Sequence, residues 1–314
     1  MDRLAYTLRR LAQMVPVVLG VTILVFFLVH LIPGDPAVTI LGVHATPDLI
    51  AEFHKHWGLD RSIPEQYWLF LKRLLHGDLG TSVFYRTSVS SLVSDRAPVT
   101  VLLLVYATVL ALLLAVPLAL LAVTRKDGVR DQVVRAIPLV GLGMPPFWVG
   151  IMLVLVFAAD VFQVLPVGGY GHGTLGHLES LFLPALTIAI GMAPILIRSL
   201  RASLLQVLES DFITTARSKG LPARRVLVRH ALRNAVISML SVLVVNLGFL
   251  VGGTVVIERV FALPGLGALM FDGISNRDFA VVQGVTLVFA IIVVSINLAS
   301  DVLYSVLDPR VRFD

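Results

Sequence analysis

The sequence predicts an all-α integral membrane protein with six transmembrane helices and both termini on the inner side. Three observations carry this. The 314-residue chain is 57% hydrophobic and only 14% charged, where a soluble domain carries about 25% charged residues. Six apolar runs contain no Asp, Glu, Lys or Arg. The basic residues gather in alternate connecting segments, as the positive-inside rule requires.

The six runs are Leu11–Ile32, Val99–Val123, Ala136–Ala159, Leu181–Ile197, Ala235–Ile257 and Ala280–Ser300. About 20 residues are needed to cross roughly 30 Å of hydrocarbon, so the fourth run is short and is expected to extend to either side. A lone strand in lipid leaves its N–H and C=O groups unpaired, so each run is a helix. The first has the basic start of a signal peptide (Arg3, Arg9, Arg10). Its apolar core is too long for one, and His30-Leu31-Ile32-Pro33-Gly34-Asp35 offers no small-x-small cleavage site. It is read as a retained helix.

With the N-terminus inside, the inner segments hold 17 of the 25 Lys and Arg residues, and the outer loop 160–180 holds none. Six of the eight outer ones fall in one long loop. The expected organisation is a cytoplasmic segment 1–10, a first span 11–32, an extracytoplasmic loop 33–98 with short helices, the remaining spans within 99–307, and a cytoplasmic tail 308–314. The net charge of +5 and pI near 9.8 are explained by this sidedness, and no nucleic-acid partner is expected.

Several chemistries are excluded. The chain has no cysteine, so disulfides, thiolate metal sites and thiol catalysis are absent. No lysine follows a glycine: Lys55, Lys72, Lys126 and Lys219 follow His, Leu, Arg and Ser. There is thus no phosphate loop, nor any HExxH or GxSxG. The chain is expected to have no catalytic residue and no metal. His54 and His56 point to different faces, and His172 and His177 sit in a Gly-rich loop. Ionisable groups of the spans (His30, Glu258, Arg259, Asp301) fall at their ends rather than near the midplane, unlike an ion-coupled carrier.

Inside the spans, Gly248 and Gly252 lie four apart on one face, beside Gly253. Pro145 and Pro146 are expected to break the middle of the third span. Asn246 and Asn297 are further polar marks. Close helix packing and pore lining are both open to these residues.

Two connecting segments have structure of their own. In the outer one, Pro47–Trp57 and Pro64–His76 read as short amphipathic helices that start at prolines. Leu59, Tyr67, Trp68, Phe70, Leu71, Leu74 and Leu75 supply the apolar face. They form either a cap on the membrane surface or part of a docking platform for an external partner. In the inner segment 204–234, Ser210-Asp211 caps a helix over Phe212–Lys219. Gly220 closes it in the left-handed conformation and Pro222 starts another. Thr214, Thr215 and Ala216 give a small-residue surface flanked by Arg217 and Lys219. Such a loop either rests near anionic headgroups of membrane lipids or seats in a groove of another protein.

The run Asp211-Phe-Ile-Thr-Thr-Ala-Arg-Ser-Lys-Gly220-Leu221, with Arg229-His-Ala-Leu-Arg-Asn-Ala235, resembles the cytoplasmic EAA loop of ABC importer permeases, most closely the dipeptide/oligopeptide/nickel branch. Further blocks agree: Leu31-Ile-Pro-Gly-Asp-Pro36, Gly58-Leu-Asp60, Gly77-Asp-Leu-Gly80, Phe261-Ala-Leu-Pro-Gly-Leu-Gly267, Arg277-Asp278 and Leu307-Asp-Pro-Arg310. They cover nearly the whole chain. The resemblance implies a type I importer fold in which this chain is half of the pathway for di- or oligopeptides, nickel chelates or glutathione-like solutes. It implies a second homologous permease, two cytoplasmic ATPases that hold ATP and Mg, and an extracytoplasmic binding protein. It places Asp211, Thr214, Thr215, Ala216, Arg217, Lys219, Gly220 and Leu221 against an ATPase. The motif's glutamate is Thr214 here, so shape complementarity rather than a Glu ion pair is expected at that contact. A membrane scaffold that transports nothing is the rival reading.

Overall fold

The structure is a computed structural model, and it describes residues 3–31, 37–38, 46–58, 60–124, 128–129, 131–134, 136, 143–159 and 161–307. Part of the Leu31–Pro36 motif (32–36), Leu59, Arg125, Lys126, Arg130, Arg135, residues 137–142 of the third apolar run, and the tail from Asp308 lie outside the described residues.

The described chain is helical. In order it forms α1 (Arg3–Leu31), α2 (Pro47–Trp57), α3 (Ile63–Leu75), α4 (Val89–Thr124), α5 (Pro146–Val154, continued by a π-turn Leu155–Ala159), α6 (Gly173–Leu208), α7 (Asp211–Ser218), α8 (Ala223–Val260), α9 (Leu266–Ser275) and α10 (Phe279–Leu307). Among the described residues the one strand-like feature is an isolated bridge between Thr81 and Ser88. Four helices are long and apolar enough to cross a membrane: Val89–Thr124, Gly173–Leu208, Ala223–Val260 and Phe279–Asp301. Shorter apolar helices cover Ala12–Phe27, Pro146–Ala159 and Leu266–Ser275. The fourth apolar run does extend, into a 36-residue helix. The third run is broken at Met144 and Pro145, between helical Gly143 and α5, with Pro145 as the cap of α5 and Pro146 in its first turn. Proline fits there because a first-turn N–H has no partner within the helix anyway.

The chain divides into two compact units. One comprises Val99–Ala268 with Ser295–Asp314, the other Asp2–Pro98 with Leu269–Val294.

The first unit has a core set by alanine spacing. Ala107, Ala111, Ala115 and Ala119 are fully buried, each four residues from the next along α4. Small side chains at that spacing line one helix face and let another helix approach closely. The lower part of the stripe packs in one cluster with Ala189, Met192, Ala193, Leu196, Ile197, Leu200 and Leu204 of α6, and with Ala231, Ala235, Met239 and Leu243 of α8. Ala107, with Val99 and Leu103, belongs to a second cluster with Leu181, Leu183, Ala185 and Ile188 of α6 and Ile257, Phe261 and Leu263.

Glu258 lies at the end of α8, as the sequence places it. It is fully buried. Its Oε1 accepts the Thr100 hydroxyl at 2.6 Å and its Oε2 accepts the Ala268 N–H at 2.9 Å. Thr100 Oγ1 in turn accepts the Leu266 N–H at 2.8 Å. A Cβ on Gly265 would fall 2.3 Å from the carboxyl carbon, so the Leu263–Gly267 turn closes over the acid only because that residue is glycine. Asp131, also fully buried, takes a two-pronged ion pair from Arg201 on α6, with Nε and Nη2 each at 2.6 Å.

In the second unit, α3 lies against α1. Tyr67 packs edge-on and Phe70 tilted against Phe26 at ring separations of 5.4 and 5.9 Å, the Tyr67 and Thr22 hydroxyls bond at 2.8 Å, and Gln66 reaches His30. Asp278 is buried and pins the segment before α4: its Oδ2 accepts the Ser82 hydroxyl at 2.6 Å and the Phe84 N–H at 3.1 Å. Tyr85 donates its hydroxyl to Asp272 at 3.0 Å, and burial, then this bond to a carboxylate, raise its pKa above the usual tyrosine value.

Candidate functional site

The loop between α6 and α8 is built as the sequence suggests, with two changes of detail. Helix α7 runs Asp211–Ser218, with Ser210 at its N-cap in extended conformation. The Ser210 hydroxyl does not cap the helix. It turns back to donate to the Val207 carbonyl, so Asp211 supplies the acidic first turn that the helix dipole favours. Gly220 sits at φ +77°, in the left-handed region. A Cβ there would meet no atom within 4 Å, so glycine is needed for backbone conformation and not for space. The Leu221 N–H donates back to the Ala216 carbonyl and closes the turn. Pro222, extended, then caps the short helix Ala223–Arg225, which enters the π-turn Val226–Ala231.

Amphipathic spacing divides α7 into two faces. Ile213 and Ala216 are buried in the core shared by α4, α6 and α8, where Val226 and Ala231 of the π-turn join them. This corrects one expectation: Ala216 is not part of an outward small-residue surface but an anchor. The outward face holds Asp211, Phe212, Thr214, Thr215, Arg217, Ser218 and Lys219, with Gly220 exposed at the turn and Leu221 half-buried. Thr215 bonds its hydroxyl to the Asp211 carbonyl at 3.0 Å, which leaves a methyl and no free donor. Phe212 is 46% exposed and Val228 of the π-turn 47%. The sequence reading passed over both; their signal was an apolar side chain inside a basic, polar loop. Exposed cations Arg224, Arg225, Arg229 and Arg233 follow. The loop therefore presents two apolar side chains ringed by polar and basic groups, rigidly tied through Ile213 and Ala216 to the long helices.

The other singled-out residues lie elsewhere in the chain. Asn246 bonds the Val242 carbonyl of its own helix at 2.7 Å. Gly248 is half-buried, while Gly252 and Gly253 are exposed with nothing within 4 Å of a Cβ position. Pro145 and Pro146 are exposed at the start of α5. Tyr170 stacks on His177 at 4.0 Å.

Comparison with known proteins shows the family. Residues 111–313 match the model of binding-protein-dependent transport system inner membrane components, and residues 3–104 match the corresponding N-terminal model. A protein of Brucella abortus (strain 2308) named as a peptide transport system permease is 40% identical over 313 residues, covering 99% of both chains. The glutathione transport system permease GsiC of Salmonella choleraesuis (strain SC-B67) is 35% identical over 310 residues, again with 99% of each covered. Among solved structures, an inward-facing form of the MetNI methionine ABC transporter superposes with a TM-score of 0.58 at 18% identity. That match covers 69% of this chain and 96% of the other, and at this identity it speaks to the fold alone. The chain is a multi-pass cytoplasmic-membrane protein and belongs to the binding-protein-dependent transport inner membrane components, as an ABC importer permease of the dipeptide/oligopeptide family.

Proposed function

We propose that this chain is one of the two pore-forming halves of an importer of small peptides, driven through the α7–Gly220 loop by nucleotide hydrolysis on partner subunits. It crosses the membrane six times with both termini inside. A homologous permease completes the pathway, a binding protein delivers solute from outside, and two ATPases that carry ATP and Mg grip the inner loop. Relatives named for peptide and for glutathione transport support a substrate with a peptide backbone. The observation that carries the reading is the two-faced build of α7. Buried Ile213 and Ala216 transmit any push on Phe212, Thr214 and Thr215 into the core of α4, α6 and α8. Without an ionisable partner at Thr214, the contact works by shape.

Gly220→Val tests this. The substitution meets no clash and acts only by disfavouring φ +77°, at a cost of about 1–2 kcal/mol. In a reconstituted complex, uptake per ATP hydrolysed is expected to fall about tenfold while assembly persists. A variant that transports at the wild-type ratio overturns the role given to this loop. Because the chain lacks cysteine, Thr214→Cys also supplies a single cross-linking site. It should join to an ATPase subunit, and a site that cross-links to no partner sinks the same reading.

A further inference from the structure

We propose that the α2–α3 hairpin holds a site for the phosphate headgroup of an anionic lipid. The site is a recess of about 370 Å³ lined by Lys55, Gly58, Arg61, Leu69, Lys72, Arg73, His76 and Asp78. Four of its lining residues are Lys or Arg, against a single carboxylate. The whole segment 33–98 has six Lys and Arg residues, so most of its positive charge converges on this one recess. Solvated surface charges spread apart to reduce repulsion; convergence around a concavity is the pattern that an anion stabilises.

The helix geometry makes the convergence specific. Leu69, Lys72 and Arg73 of α3 and His76 at its C-cap fall at i, i+3, i+4 and i+7, so they line one face. Gln66, Tyr67 and Phe70 form a second face, turned to α1. A third carries Trp68, 65% exposed, and Leu75, 84% exposed, seven residues apart. No residue of α3 is fully buried. A helix docked on an apolar helix by one face, open to its surroundings through Trp and Leu on another, and cationic between them has the layout of an interfacial helix. Lys72 stands four residues after Trp68, so its stem can run along apolar surface with its ammonium at headgroup level.

The turn between the helices is shaped to match. Gly58 closes α2 at φ +69°. A Cβ there would crowd the Leu69 side chain at 3.2 Å, so the glycine keeps the floor of the recess open. Guanidinium and ammonium groups together suit a phosphodiester, to which Arg offers paired donors and Lys a point charge. The same chemistry would take free phosphate; the neighbouring Trp68 and Leu75, with no role in holding a soluble ion, favour a lipid. This inference does not depend on the transport reading, since it concerns binding at rest.

The test uses the full-length chain purified in neutral detergent and offered equimolar phosphatidylglycerol and phosphatidylcholine, with retained lipid counted by native mass spectrometry. Wild type should retain phosphatidylglycerol at least about tenfold over phosphatidylcholine. Each cation near an anionic lipid contributes about fivefold, so Arg61→Gln with Lys72→Gln should weaken retention about 25-fold. Removing two cations elsewhere, Arg86→Gln with Arg277→Gln, should leave it unchanged. Equal retention of the two lipids by wild type overturns the proposal, and needs no variant to fold. So does equal loss from both double variants, or full displacement of phosphatidylglycerol by millimolar inorganic phosphate, which would mark a soluble-anion site.

Discussion

Replacing Glu258 by alanine should be among the most damaging single substitutions in the chain, although the residue has no exposed surface. Its carboxylate accepts at least two hydrogen bonds, from Thr100 at 2.6 Å and Ala268 N–H at 2.9 Å, with no exposed surface. Hydrogen bonds to a charged group contribute about 1.5–3 kcal/mol each, and a stranded buried donor adds its desolvation penalty. The alanine variant should therefore lose about 3–5 kcal/mol. Glutamine keeps one acceptor for Ala268 N–H and can donate to Thr100 Oγ1, so Glu258→Gln should lose about 1–2 kcal/mol. Gly267→Ala offers an independent check on the same turn. Its Cβ would lie 2.6 Å from the Val255 Cα, and backbone cannot yield as a flexible side chain can. The assay is reversible unfolding in mixed micelles, titrated with dodecyl sulfate and followed by helical circular dichroism. An alanine variant within about 0.5 kcal/mol of wild type would refute the reasoning, as would a glutamine variant as costly as alanine.

Arg201→Ala should cost about 3–5 kcal/mol in the same assay, because it removes the two-pronged ion pair from the buried Asp131 carboxylate. Arg201→Lys should recover little of this, since an ammonium cannot reproduce two parallel donors; full rescue by lysine would show that charge alone matters there. Tyr85 gives a pH test. A phenol whose folded pKa is raised favours the folded state at pH values below the ordinary tyrosine range near 10, and that contribution disappears as pH rises through the folded value. Wild-type stability should thus decline above about pH 10, and Tyr85→Phe should flatten the decline while losing about 1 kcal/mol at neutral pH. Parallel alkaline profiles for the two proteins would remove Tyr85 from the account.

The loop between α6 and α8 was legible in the sequence because its signals are local. Ser210, Asp211, Gly220 and Pro222 each state a backbone preference that needs no distant partner, and the structure follows all four. The outer helices were legible for the same reason, from prolines at their first turns. Orientation of α7 was not. Whether Ala216 faces outward depends on which side of the helix meets α4, α6 and α8, and a small residue is neutral evidence on that point.

By itself the sequence determined that the chain is a membrane-embedded helical protein and where the loop between α6 and α8 bends. Hydropathy and backbone propensity are additive along the chain, so a linear reading captures them. Only the tertiary structure decided what becomes of the acids. Glu258, Asp131 and Asp278 look like ordinary polar marks at the ends of apolar runs. Each is buried on a partner 158, 70 or 196 residues away. Low dielectric turns such groups from solvated ends into fixed fastenings, and which pairs meet is a property of packing that no local window contains.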